Sequence, residues 1–224
     1  MHMNNITIGV IVVSLLVLGV GGYLISQSSG TVNNDPIELV QKVKGNPEAE
    51  VVLSEYSDFQ CPACAAFQPV LNDVMEQYGD QLRLEYNHFP LISIHRNAEQ
   101  AARASEAAGV QGQFWEFHDL LFERQQTWSQ SINPRTVFIG YAEELGLNVE
   151  QFTRDLDNRN IREAVQNEMR AGRELSITGT PTFFLNGEPM QYETFNDFVT
   201  EIERALGVAV EEVPLSETEV DFSF

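Results

Sequence analysis

The chain holds two cysteines, and they stand close together as Cys61-Pro62-Ala63-Cys64. Two thiols at that spacing can form a small-ring disulfide and exchange it, make a static bridge, or supply half of a zinc site. Proline is favoured at the first residue of a helix, so Pro62 makes Cys61 the N-cap, with its sulfur facing the unpaired amides of Ala63 and Cys64. A helix N-terminus combined with C-x-x-C lowers a thiol pKa to roughly 3.5–7.5, and each unit favours the thiolate by about 1.4 kcal/mol. Cys61 is therefore the expected nucleophile. Cys64, one turn inside the helix, is the expected resolving thiol. The other two readings are weaker. A bridge over so short a loop adds little stability, and zinc needs two further ligands from four histidines, of which His88 and His95 lack the usual spacing. No metal is expected, and no cofactor beyond the redox-active pair.

The elements around the pair suit that chemistry. Val51 to Tyr56 is rich in β-formers, and from Pro62 to Tyr78 the apolar Phe67, Val70, Leu71, Val74, Met75 and Tyr78 recur at helical spacing. The cysteines thus sit where a strand hands over to a helix. A second strand fits Leu82–Phe89, with Leu82, Leu84 and Tyr86 alternating.

A helical block follows. Ala98, Ala101, Ala102, Ser105 and Ala108 share one helix face, Phe114, Phe117 and Leu121 another, and Val137, Phe138, Tyr141, Ala142 and Leu145 a third. Asn148 with Gln151 reads as a capping pair, and Ile161, Ala164, Val165, Glu168, Met169 and Gly172 line a further helix with Glu168 alone out of pattern. The chain then returns to β with Thr182–Leu185, an Asn186-Gly187 hairpin turn and a strand over 188–191 that Pro189 marks as an edge. A last helix is expected from about Thr194 to Leu206. His95, His118 and the aromatics Phe114, Trp115 and Phe117 are read as structural residues at core or capping positions.

Composition narrows the partners. With 224 residues, 43 % hydrophobic and 10 % aromatic, the chain has enough apolar material for one packed domain. Thirteen basic against 33 acidic residues, a net charge of −20, argues against nucleic acid. Ile6 to Ile25 carries no charge and is about the length of a bilayer-spanning helix, so 1–28 is expected to be a membrane anchor, with a cleaved signal segment as the alternative. A flexible tether over 29–35 would join it to a domain over 36–207, and 208–224 reads as an acidic, disordered tail.

Several separated runs, SEYSDFQCPACAAF, HRNAEQAARA, FWEFHDLLF and TGTPTFFLNG, occur in one order that resembles the DsbA-like thiol-disulfide oxidoreductases of bacterial cell envelopes. The resemblance implies an α/β fold, a thioredoxin-like core interrupted by an all-helical insertion at about 95–175, here preceded by the one N-terminal transmembrane helix. It places the nucleophile on Cys61 and the resolving thiol on Cys64, with Pro62 and Ala63 as support. It also implies a cis-proline at Pro181, after Thr180, facing the pair. A buried acid falls on Glu55, able to take or supply the Cys64 proton, and Pro69 matches a helix kink. The chain departs from the strongly oxidising members between the cysteines, where Pro-Ala stands in place of Pro-His and removes an imidazole beside the thiolate.

By that resemblance the substrates are thiols of exported proteins, into which disulfides are introduced, and a membrane quinone-linked partner reoxidises the dithiol. The domain is expected on the extracytoplasmic side of a bacterial membrane, held by a single span, or secreted or periplasmic if the segment is cleaved. Two alternatives stand beside this reading: a reductase or isomerase using the same site, and a non-catalytic envelope interaction module with a static disulfide.

Overall fold

A computed structural model describes residues 36–208. The expected anchor at 1–28, the tether at 29–35 and all but the first residue of the expected tail lie outside the described residues. Among the described residues no helix is long and apolar enough to cross a membrane.

Five strands form one mixed sheet in the order β1-β3-β2-β4-β5. They are β1 (Val43–Gly45), β2 (Val51–Ser57), β3 (Leu82–His88), β4 (Thr182–Leu185) and β5 (Glu188–Pro189). The central β2 runs parallel to β3 and antiparallel to β4, and the connection from β2 to β3 passes through helix α1 (Pro62–Tyr78). Parallel neighbours require such a crossover, and here it places the helix N-terminus, with the cysteines, at the end of the central strand.

Between β3 and β4 the chain is helical: α2 (Ala98–Gly109), α3 (Phe114–Glu123), α4 (Gln125–Trp128), α5 (Pro134–Glu144), α6 (Val149–Asp155) and α7 (Arg159–Glu174). Helix α8 (Phe195–Ala205) closes the domain behind a capping box made by Thr194 and Asp197. The apolar stripe of α1, from Phe67 to Tyr78, packs with Leu53, Leu82, Leu84, Phe183, Phe198 and Ile202 into one core. A second core holds Phe59, Cys61, Cys64 and Tyr86 against α2, α3, α5 and α6, so both sulfurs belong to the layer between the sheet and the helical block.

Two strands differ from what the sequence pattern predicts. The pattern does not reveal β1, whose three residues carry no alternation and are a strand only because Val43, Lys44 and Gly45 pair with Glu85, Leu84 and Arg83. It also makes the last strand too long: only Glu188 and Pro189 stand in register with β4, and beyond them a single bond, from the Met190 N–H to the Phe183 carbonyl at 3.0 Å, continues the contact. The hairpin turn itself is held as expected, with Asn186 and Gly187 at φ 53 and 84.

Glu168, the polar residue out of pattern on α7, also finds its reason. Its carboxylate receives the Lys42 ammonium and, at 2.7 Å, the His88 backbone N–H. Lys42 also donates to Glu106 at 2.7 Å, and His88 Nε2 lies 3.1 Å from the same oxygen. One buried cation thus ties the segment before β1 to α2, α7 and β3. Burial pushes the Glu106 carboxyl up, but His88 and Lys42 outweigh it and leave the pKa at about 2. His88, Glu106 and Glu168 offer ligand atoms within 4.8 Å of one another, a spacing a metal ion would accept, yet the Lys42 ammonium already supplies positive charge there.

Candidate active site

The site begins with the loop that delivers Cys61. Asp58 is fully buried and accepts from the Gln60 N–H at 2.7 Å and the Leu91 N–H at 2.8 Å, while His95 Nδ1 lies 2.7 Å from its second oxygen. The Asp58 carbonyl accepts from the Cys61 N–H at 3.0 Å. Gln125 on α4 donates to the carbonyls of Phe59 and Cys61 at 2.8 and 2.9 Å, and Gln60 donates to Ser129 and accepts from Asn97. Buried polar groups that are fully paired fix a single geometry, and the approach to Cys61 is therefore rigid.

Cys61 is the N-cap of α1, extended at φ −74 and ψ 122, with Pro62 beginning the helix. Its side chain makes no capping hydrogen bond; the thiol donates instead to the Thr180 carbonyl at 3.3 Å. The peptide bond between Thr180 and Pro181 is cis. Cys61 keeps 7 % of its surface exposed and Cys64 none, and both are free thiols.

Environment drives the two thiols apart. The Cys61 pKa is pulled down to about 6, first by the hydrogen bond from the Cys64 thiol, with burial opposing, then by Thr180 and the amides of Cys64 and Ala63. Helix amides thus contribute, but the neighbouring thiol contributes more than the capping argument anticipates. Cys64 is pushed well up by burial first, then by the adjoining Cys61 sulfur and the charge of Glu55. One sulfur is poised as a thiolate at neutral pH and the other holds its proton.

Glu55 on β2 sits opposite Tyr86 and Phe183 in the sheet and is 1 % exposed. Burial raises its pKa to about 7, offset in part by the Ser57 hydroxyl. A carboxyl with that value can hold or release a proton near neutral pH, and its charge is felt at Cys64. Pro62 and Ala63 stand between the sulfurs, Ala63 offering its amide alone. Pro69 lies inside α1 without ending it.

His95 and His118 partner carboxylates, Asp58 and Asp119, rather than either sulfur. Phe114, Trp115 and Phe117 lie in or against the helical core. Asp58, Gln60 and Gln125 are site residues that the sequence pattern does not single out. For Asp58 a signal exists, since Asp accepting from the N–H two residues on is a common turn. Gln125 sits in a four-residue helix with no periodicity to mark it.

The Thioredoxin family model matches residues 39–204. A Na(+)/H(+) antiporter NhaA 1 of Salinispora arenicola is 38 % identical over 145 residues, which is 65 % of this chain and 21 % of that protein. The matches span from 21 % to 30 % of the length of such curated relatives. Among solved structures, a thioredoxin-like oxidoreductase from Silicibacter pomeroyi is 26 % identical with a TM-score of 0.64, covering 75 % of this chain and 94 % of that one. BdbD from Bacillus subtilis is 22 % identical with a TM-score of 0.65, covering 78 % and 100 %.

Proposed function

The chain belongs to the thioredoxin family, as a DsbA-like thiol-disulfide oxidoreductase, and from that premise we propose that it introduces disulfides into exported proteins. The observation that carries the direction is the division of the two thiols, with Cys61 drawn down to about 6 and Cys64 pushed up. A sulfur that is stable as a thiolate is a good leaving group, and stabilising it favours the dithiol form. The disulfide form then tends to give its bond away.

A client thiolate attacks Cys61 Sγ of the Cys61–Cys64 disulfide, that S–S bond breaks, and Cys64 leaves with the electron pair. Glu55, buried beside it, supplies the proton that Cys64 retains. A second client thiolate then attacks the client sulfur of the mixed disulfide, and Cys61 leaves as the stabilised thiolate. The client gains a disulfide and the enzyme is left as the dithiol. Thr180 and Pro181 stand beside Cys61, where the client chain must lie. Turnover needs an oxidant, and a membrane quinone-linked partner outside the cytoplasm is the class proposed, since a reducing cytosol would hold the pair as thiols.

Equilibration with glutathione buffers tests the reading. An oxidase should show a potential near or above about −180 mV, whereas a value near about −270 mV would make the protein a reductase at the same site. Failure to oxidise a dithiol peptide or to reduce insulin would leave only the static-bridge alternative.

A further inference from the structure

The chain carries an acidic excess of 20 charges, so its basic residues should find carboxylates readily. Among the described residues seven arginines do, yet Arg96, Arg162, Arg170 and Arg173 make no ion pair. Three of the four lie on α7, and at about 100° per residue they fall within an arc of roughly 80°. Arg170 and Arg173 are exposed and make hydrogen bonds only to Asn167 and to Met169 of their own helix.

These two line a groove of about 250 Å³ together with Pro90, Ile92, Met169 and one acid, Glu99. Among the lining residues Ile92 is 49 % exposed, so the groove opens apolar surface to solvent. A single exposed apolar residue is ordinary, but one lining a groove beside two arginines that make no ion pair, in a chain with a net charge of −20, is not.

Both walls are attached to the reactive centre. One is the segment after β3, whose Leu91 and His95 are hydrogen-bonded to Asp58, three residues before Cys61. The other is the end of α7, which runs on to Thr180, whose carbonyl accepts the hydrogen bond from the Cys61 thiol. Arg173 and Thr180 are seven positions apart in the chain, so they are no more than about 25 Å apart. A client joined to Cys61 can reach the groove with a flank of about seven residues.

We propose that this groove selects clients: it takes an extended segment flanking the reactive cysteine, with an apolar side chain against Ile92 and Met169 and carboxylates facing Arg170 and Arg173. This rests on the oxidoreductase reading and adds a substrate class to it. The preference runs against the charge of the whole molecule, which would draw basic peptides. At physiological ionic strength fields fade within about 8 Å, so the local arginines decide.

The test uses the oxidised full chain at 0.15 M salt and three thiols. Two are single-cysteine peptides with the same leucine, one with two glutamates and the other with two lysines within seven residues of the cysteine. The third is β-mercaptoethanol. The glutamate peptide should react about fivefold faster than the lysine peptide, as expected for two exposed ion pairs, and the gap should close in 1 M salt. The double variant R170E/R173E should invert the preference, and R170Q/R173Q should abolish it, with mercaptoethanol rates unchanged in both. A wild type that shows no preference or favours lysine, or a charge-reversed variant that still favours glutamate, overturns the groove. A wild type that fails to exchange even with mercaptoethanol overturns the oxidoreductase reading, and the groove's role falls with it.

Discussion

Cys61 Sγ lies 3.3 Å from the carbonyl oxygen of Thr180, a residue 119 positions further along the chain. That contact joins the start of α1 to the segment just before β4 and holds Cys61 beside the cis peptide bond between Thr180 and Pro181. When Cys61 ionises it has no proton left to give that carbonyl, and the groups that lower its pKa are the Cys64 thiol first, then the Thr180 side chain and the amides of Cys64 and Ala63.

The first expectation concerns that ionisation. The rate of iodoacetamide alkylation of Cys61 in the dithiol protein should rise with pH around a midpoint of about 6. In Cys64→Ala the midpoint should move up, because the leading donor to the thiolate is gone. A wild-type midpoint near about 8.5, the free-thiol value, would remove the basis for treating Cys61 as the nucleophile.

Division of labour between the thiols gives a second expectation. Cys64→Ala should accumulate mixed disulfides with client proteins, since attack at Cys61 remains and the resolving thiol is lost. Cys61→Ala should trap few, because Cys64 is wholly buried and its proton is held firmly. Non-reducing gels compare the two, and equal adduct levels would refute the assigned roles.

Glu55 should make stability depend on pH. Its native pKa of about 7 lies above the ordinary 4.5, so the native state holds the proton more tightly than the unfolded chain does. Stability from this group is full below about 4.5 and falls as pH rises towards 7 and beyond, by at most about 3 kcal/mol. Glu55→Gln should remove that loss. Urea unfolding of the dithiol protein at pH 5 and pH 8 measures it, and an equal decline in wild type and variant would exclude Glu55 as the source.

Lys42→Met should destabilise the domain by about 3–5 kcal/mol, because Glu106, which is 1 % exposed, would keep its charge without the ammonium that offsets it. Urea midpoints would show the loss. A change below about 1 kcal/mol would mean that His88 alone compensates Glu106.

Gly172→Ala should also destabilise, although alanine is the better helix former by about 1 kcal/mol. A Cβ there would stand 2.6 and 2.8 Å from the Phe89 ring and 3.2 Å from Tyr56. A net loss of about 1–3 kcal/mol is expected from the forced shift, read by thermal or urea unfolding. A stabilised variant would show that Phe89 moves aside freely.

Local chemistry makes much of the protein legible in its sequence alone. Pro62 after Cys61 marks a helix start, period-2 and period-3.6 spacing marks β2, β3, α1 and α8, and Asn186-Gly187 marks the hairpin, because each of these is decided by residues within one or two turns of chain. The site's charges cannot be read this way. Cys61 falls to about 6 and Glu55 rises to about 7 because of what folding places beside them and what water it removes, from positions more than a hundred residues apart in the case of Thr180. The same holds for β1, which is a strand only against β3, and for Lys42, which becomes a buried ion only when Glu106 and Glu168 meet it. Propensity and capping act along the chain, whereas burial, strand pairing and charge compensation act across it, and only the tertiary structure brings those partners together.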